Sequence, residues 1–212
     1  MYRDMDVRMI QTLWGMNKRH LIQYTQKGGG PLDTIVMGKY RVEHFQYHLY
    51  IWSNELPCVH ILLDEHDKVA VLSELNYHRS CTIRGDMERG DGTKEMLEFA
   101  FELAREQGMK AIELMDKSSV TCKETGEDIH LGPFKFLQKG RTWYESMGFI
   151  PSYPKMYVDE YLKAKQRRKE ILDIQFLEKQ DCRYLTNKRV YDIMVKDLQF
   201  GGFYNIVWRK EL

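Results

Sequence analysis

The sequence predicts an α/β (α+β) protein with a mixed, mostly antiparallel central sheet flanked by helices. Three observations predict it. Between Tyr40 and Tyr77 apolar residues recur with a period of two, in runs separated by polar turns, as in an antiparallel meander. Residues 84–115 then read as glycine loop, amphipathic helix and short apolar strand, a β-α-β unit whose strands should run parallel. Helical periodicity returns over 136–147 and dominates after Tyr157.

The elements follow in order. Val7, Ile10, Leu13 and Trp14 have helical spacing, and Lys27-Gly28-Gly29-Gly30-Pro31 is a flexible break. Phe45, Tyr47, Leu49 and Ile51 alternate with His44, Gln46, His48 and Tyr50, which describes one half-buried strand. Val59–Leu63 and Val69–Tyr77 are the next two strands, the last continuing through Cys81-Thr82-Ile83. Met96, Leu97, Ala100, Leu103 and Ala104 share one face of a helix over 93–107, with Thr93 as its cap and Gly108 at its end. Ala111–Met115 is a short strand, residues 117–134 a polar, irregular insertion, and Phe136–Met147 a helix ended by Gly148. Phe149-Ile150 opens a strand, Asn187–Leu198 is helical, and Phe203–Trp208 is the last strand. One domain over 1–212 is expected, with its core at 40–155 and a helical extension at 156–212.

Composition excludes several classes. Hydrophobic residues at 43% against 30% charged are the balance of a globular chain, not a disordered one. Thirty-two basic and thirty-one acidic residues leave a net charge of +1, so no polyanion-coating surface is expected and nucleic acid is not the expected partner. No run reaches the ~18 apolar residues of a membrane span, and Met1-Tyr2-Arg3-Asp4-Met5-Asp6 lacks the apolar stretch of a signal peptide. Cys58, Cys81, Cys122 and Cys182 form no C-x-x-C pair, so they read as reduced thiols in a cytoplasmic protein, with no metal bound. His44 and His48 would lie about 13 Å apart along one strand, too far to share an ion. They read as strand histidines or as a substrate-facing wall. Lys163 to Lys169 is flanked by the acids Asp159, Glu160, Glu170 and Asp173 and reads as a solvated helix face.

Glu88-Arg89-Gly90-Asp91-Gly92-Thr93 carries the most chemistry. Glycines let backbone N–H groups turn inward at a helix N-terminus, where the dipole adds partial positive charge, a combination that binds phosphate or pyrophosphate. No G-x-x-x-x-G-K-[ST] loop is present. The same stretch is also compatible with an ordinary strand-to-helix turn. About fifty residues on, Trp143-Tyr144-Glu145-Ser146-Met147-Gly148-Phe149 closes the second helix.

The order of meander, R-G-x-G-[TG] loop, helix, strand and helix ending Y-E-x-x-G-F resembles the GCN5-related N-acetyltransferase (GNAT) superfamily over roughly residues 40–155. The family pattern opens on Gln or Arg where this chain has Met87. The resemblance implies an acetyl-CoA-dependent N-acetyltransferase acting on a small-molecule or peptide amine by direct attack. It implies that Arg89, Gly90, Asp91, Gly92, Thr93 and Lys94 hold the coenzyme A pyrophosphate, and that Thr82, Ile83 and Arg84 line the thioester and pantetheine arm. Tyr144 then protonates the leaving thiolate. Glu74, which interrupts the apolar run Val69–Leu75, is the expected base, acting directly or through water. Asp116 and Ser118 follow the carboxyl end of a short strand, a favoured place for substrate contacts. The alternatives are an inactive acyl-CoA-binding module and a nucleic-acid-modifying member of the same fold.

Overall fold

The structure is a computed structural model that describes residues 21–24, 33–37, 40–53, 55–76, 81 and 91–212. The chain is α+β, with a mixed and mostly antiparallel sheet. It divides into two compact units, Met1–Ile112 with Glu211–Leu212, and Glu113–Lys210. The helix expected at 6–14, the glycine loop at 27–31 and the strand continuation through Thr82 and Ile83 lie outside the described residues.

In the first unit six strands pair in sequence order, each antiparallel to the one before: β1 (Leu21–Tyr24), β2 (Asp33–Met37), β3 (Tyr40–Phe45), β4 (His48–Ser53), β5 (Leu56–Asp64) and β6 (Val69–Leu75). Tyr40, Val42, Leu49, Ile51, Val59, Ile61, Leu63, Ala70 and Leu72 are buried. Helix α1 (Asp91–Glu106) packs on β5 and β6, and its predicted stripe Met96, Leu97, Ala100, Leu103 and Ala104 is buried. Each buried Leu, Ile or Val stabilises the unit by about 1.5–3 kcal/mol. The helix starts at Asp91, so Thr93 is its third residue and not its cap. It ends where expected, with Gly108 at φ 76° and its N–H donating to the Arg105 carbonyl at 2.8 Å.

One expected strand is in fact a hairpin. Gln46 and Tyr47 turn between β3 and β4, so Phe45 pairs with His48 and His44 with Leu49. The turn breaks the alternation. His44 is buried with Tyr40 and Val42, while Tyr47 is half exposed rather than inside. No Gly, Asn or Asp marks this turn, so the usual signal of a two-residue hairpin is missing. Strands β1 and β2 were also not expected, although Thr34-Ile35-Val36 is a β-branched run.

The boundary between the units falls within β7 (Ala111–Met115). The insertion at 117–134 is ordered: β8 (Ser119–Thr121) and β9 (Asp128–His130) form a hairpin with Val120 opposite Ile129, and α2 (Leu131–Lys139) follows directly. The helix expected over 136–147 is two helices, α2 and α3 (Trp143–Ser146). Gly140 ends α2 at φ 71°, and Thr142 caps α3. Next come β10 (Ile150–Tyr153), α4 (Lys155–Ile171), α5 (Ile174–Glu178) and α6 (Asn187–Asp192), the last running on as a π turn over Ile193–Asp197. The final strand is β11 (Val207–Glu211), shifted past a 3₁₀ turn at Phe203–Asn205 and antiparallel to β10. The basic run on α4 is not simply solvated: Lys165 pairs with Glu145, Arg167 donates to the Leu198 carbonyl, and buried Arg168 donates to the Leu137 and Gln138 carbonyls.

The expectation of four reduced thiols is overturned. Cys58 is bonded to Cys81, and Cys122 to Cys182. Tertiary structure brings each pair to a Cα–Cα distance of 5.4 and 5.8 Å across 23 and 60 residues, a pairing that local spacing does not reveal. The reducing cytoplasmic setting loses the support it drew from unpaired cysteines. Among the described residues no helix is long and apolar enough to cross a membrane. Closing loops of this length stabilises by about 3–4.5 kcal/mol each in the chain-entropy account. Reductant should therefore lower the melting temperature, and peptide mapping without reductant should recover Cys58 with Cys81 and Cys122 with Cys182. Alkylation of all four cysteines in the folded, unreduced protein would contradict the pairing.

Candidate functional site

Tyr144 is held by its neighbour. The Thr142 hydroxyl accepts from the Glu145 N–H at 3.0 Å and the Glu145 carboxylate accepts from the Thr142 N–H at 2.7 Å, a capping box that starts α3. The same carboxylate accepts from the Tyr161 hydroxyl at 2.6 Å and pairs with Lys165 at 2.9 Å, both on α4. Gly148 at φ 86° ends the motif, and the Phe149 N–H returns to the Tyr144 carbonyl at 3.1 Å. Within this frame the Tyr144 ring is buried edge-on to Trp143 and Phe149. Its hydroxyl makes no hydrogen bond among the described residues. Burial, helped by the nearby Asp116 charge, pushes the phenol well above its ordinary value, so it stays protonated.

Asp116 is buried just past β7. Its Oδ1 accepts from the Ser118 N–H at 3.1 Å and from the Ser118 hydroxyl at 2.5 Å, whereas Oδ2 is buried without a partner. Burial raises its carboxyl above the usual range against the pull of the Ser118 bonds and of His130. Gly132 allows the close approach: a Cβ there would stand 2.6 Å from Asp116 Oδ2 and 2.5 Å from the Phe203 ring. The structure thus hydrogen-bonds Asp116 to Ser118, the two residues expected to contact substrate, and sets the Asp116 charge against the Tyr144 and Tyr204 phenols. Tyr204 and Gly132 were missed because nothing local in their sequence relates them to Asp116.

In the first unit, Thr82, Ile83, Arg84, Arg89 and Gly90 lie outside the described residues. Asp91, Gly92, Thr93 and Lys94 form the first turn of α1, where backbone N–H groups lack intrahelical partners. Lys94 is exposed and 3.8 Å from Glu98. Glu74 is exposed on β6, directly opposite His60 on β5. His60 Nε2 lies 3.0 Å from His48 Nδ1 with the ring planes 7° apart and centres 5.3 Å apart. That separation exceeds the N···N gap by about two ring radii, so the imidazoles meet edge to edge through one shared proton. Tyr50 stacks on His60 at 4.2 Å. The structure pairs His48 with His60, a partner on another strand, instead of His44. Burial, then His48, lowers the His60 pKa; Glu74 opposes this.

Among the described residues one group of metal-ligating type is close enough to share an ion, Cys122, Glu124 and Cys182, and its two sulfurs are bonded to each other. Comparison with protein-family models, curated proteins and solved structures found no match.

Removing the Glu145 carboxylate in Glu145→Ala should destabilise the protein by about 3 kcal/mol, because the cap is lost and the Tyr161 hydroxyl and Lys165 lose a charged acceptor. Chemical denaturation would measure it. Thr142→Ala, which removes one capping bond, should cost only about 1 kcal/mol. His60 makes a pH-dependent contribution. Its folded pKa lies below the unfolded value of 6.5, so the unfolded chain binds more protons as pH falls through 6.5 toward the folded value. Stability from the neutral ring is present above that window and lost within it. Melting temperatures across the window should fall less in His60→Gln than in the wild type.

Proposed function

We propose that the chain is an N-acyltransferase of GNAT-like fold that moves an acetyl group from acetyl-coenzyme A to a primary amine. The observation that carries the reading is Tyr144, a buried residue whose phenol is kept protonated by burial and whose hydroxyl has no hydrogen-bond partner among the described residues, inside a helix that Glu145 holds in place. A phenol in that state donates to an anion that forms beside it, as a leaving thiolate does. The unpaired N–H groups of the first turn of α1, from Asp91 to Lys94, support the binding of a pyrophosphate.

Each role is assigned from the residue's own surroundings. The amine nitrogen attacks the thioester carbonyl, the C–N bond forms, and the C–S bond breaks. The thiolate takes the Tyr144 proton. The amine gives up its proton to a carboxylate, and Glu74 supports that role through its position opposite His60, which offers the proton an onward acceptor. Asp116 and Ser118 are assigned to substrate contact because the Asp116 Oδ2 is buried with nothing to accept from. The donor is an intracellular metabolite, so an intracellular setting belongs to the proposal. The two disulfides argue that this setting is not strongly reducing.

Release of free thiol from acetyl-coenzyme A against a panel of primary amines tests the reading. Tyr144→Phe should lower turnover by about 10²-fold or more with coenzyme A affinity nearly unchanged, since the ring stays and only the donor is lost. Gly92→Val should weaken coenzyme A binding. Stabilisation by coenzyme A without turnover would leave a binding module, and neither stabilisation nor turnover would end the proposal.

A further inference from the structure

The C-terminal part of the second unit forms an open cavity of about 360 Å³ between β9, the start of α2, α6 with its π turn, and residues 200–204. That is the size of a small-molecule site. Its apolar wall includes Val190, Met194, Val195 and Phe200. Two of these belong to the π turn, which breaks the register of α6 at this point, and π turns inside helices gather at functional sites. One wall is locked in advance: Asn187 accepts from the His130 N–H at 2.9 Å and donates to the Asp128 carbonyl, so its amide ties α6 to β9. Tyr204 closes the other side, its ring 5.1 Å from that of His130, and burial and the Asp116 charge push its phenol up to about 12.

Charge sets the class of occupant. No lining residue carries a carboxylate, and the one lysine or arginine in the lining is Lys188, exposed and without an ion pair or hydrogen bond among the described residues. We propose that this cavity binds a small amphipathic anion, with an apolar or aromatic body against Val190, Met194, Val195 and Phe200 and a single carboxylate, phosphate or sulfonate facing Lys188. The inference concerns the second unit alone and does not depend on the acyltransferase reading.

The probe is 1-anilinonaphthalene-8-sulfonate, an aromatic monoanion, compared with uncharged N-phenyl-1-naphthylamine. Both should bind the folded protein at one saturable site. Gly201 lines the cavity, has an unstrained φ, and a Cβ there would meet nothing closer than Val195 Cγ2 at 3.8 Å. Gly201→Trp should therefore fill the cavity with the fold intact, and binding of both probes should be lost. Lys188→Gln should weaken the sulfonate roughly fivefold, the upper scale of one exposed charge pair, and spare the neutral probe. Val195→Trp is the second filling variant, and near-ultraviolet circular dichroism checks that both variants stay folded. Undiminished binding in either folded filling variant would overturn the site. Equal loss of both probes in Lys188→Gln would overturn the anion. Displacement of the sulfonate by coenzyme A, with Gly201→Trp unaffected, would put the probe elsewhere and overturn the proposal too.

Discussion

The second unit is organised around one carboxylate. Glu145 accepts from its own helix cap and from Tyr161, and pairs with Lys165. Tyr161 in turn stands among Phe136, Phe200, Phe203 and Trp208, with ring centres 5.2 to 6.2 Å away. The polar and apolar halves of one tyrosine thus connect a four-residue helix to the aromatic core. A helix that short has no stability of its own. Its place, and hence that of Tyr144, comes from the charge-assisted hydrogen bonds on its neighbour. The same logic appears at Glu113, buried on β7, which accepts from Tyr153 at 2.7 Å and pairs with Arg209 at 2.9 Å.

Against that frame, two buried polar atoms of the second unit have no partner among the described residues, the Trp208 indole N–H and, more costly, an oxygen of Asp116. One Asp116 oxygen accepts two hydrogen bonds from Ser118, and the other is buried with none to accept. Leaving such a group without a partner costs about 1–3 kcal/mol, more when it is charged. The fold keeps it, and keeps Gly132 small enough to admit it. That unpartnered oxygen, with its charge acting on the Tyr144 phenol, is what the proposed assignment of Asp116 to substrate contact rests on.

The first unit shows how a sheet face acquires chemistry that its strands do not announce. His48, Tyr50 and Trp52 follow one another on β4, and Tyr50 stacks on Trp52 at 5.7 Å while His60 arrives from β5. Arg41 covers the Trp52 ring at 5.6 Å and pairs with Glu43 at 2.9 Å. Cross-strand register sets His60 between Tyr50 on one side and Glu74 on the other, and brings its ring diagonally to within 3.0 Å of His48.

What the sequence determined by itself is local and periodic. The meander, the α1 stripe, the glycine ends at Gly108 and Gly148, and the position of Tyr144 in its motif were all legible, because period, cap and turn chemistry act over a few residues. The capping box at Thr142–Glu145 and the C-terminal Gly140 were legible too, and reading them would have split the second helix. Tertiary structure decided the rest. Gln46-Tyr47 turns because β4 finds β3, not because of its residue types. Cys122 meets Cys182 across 60 residues, and Asp116 lies against Gly132 and Phe203 from a distant turn. The cavity is lined by residues from 130 to 204. None of these contacts has a short-range signature, since each depends on which surfaces pack together, and packing is set by the whole chain.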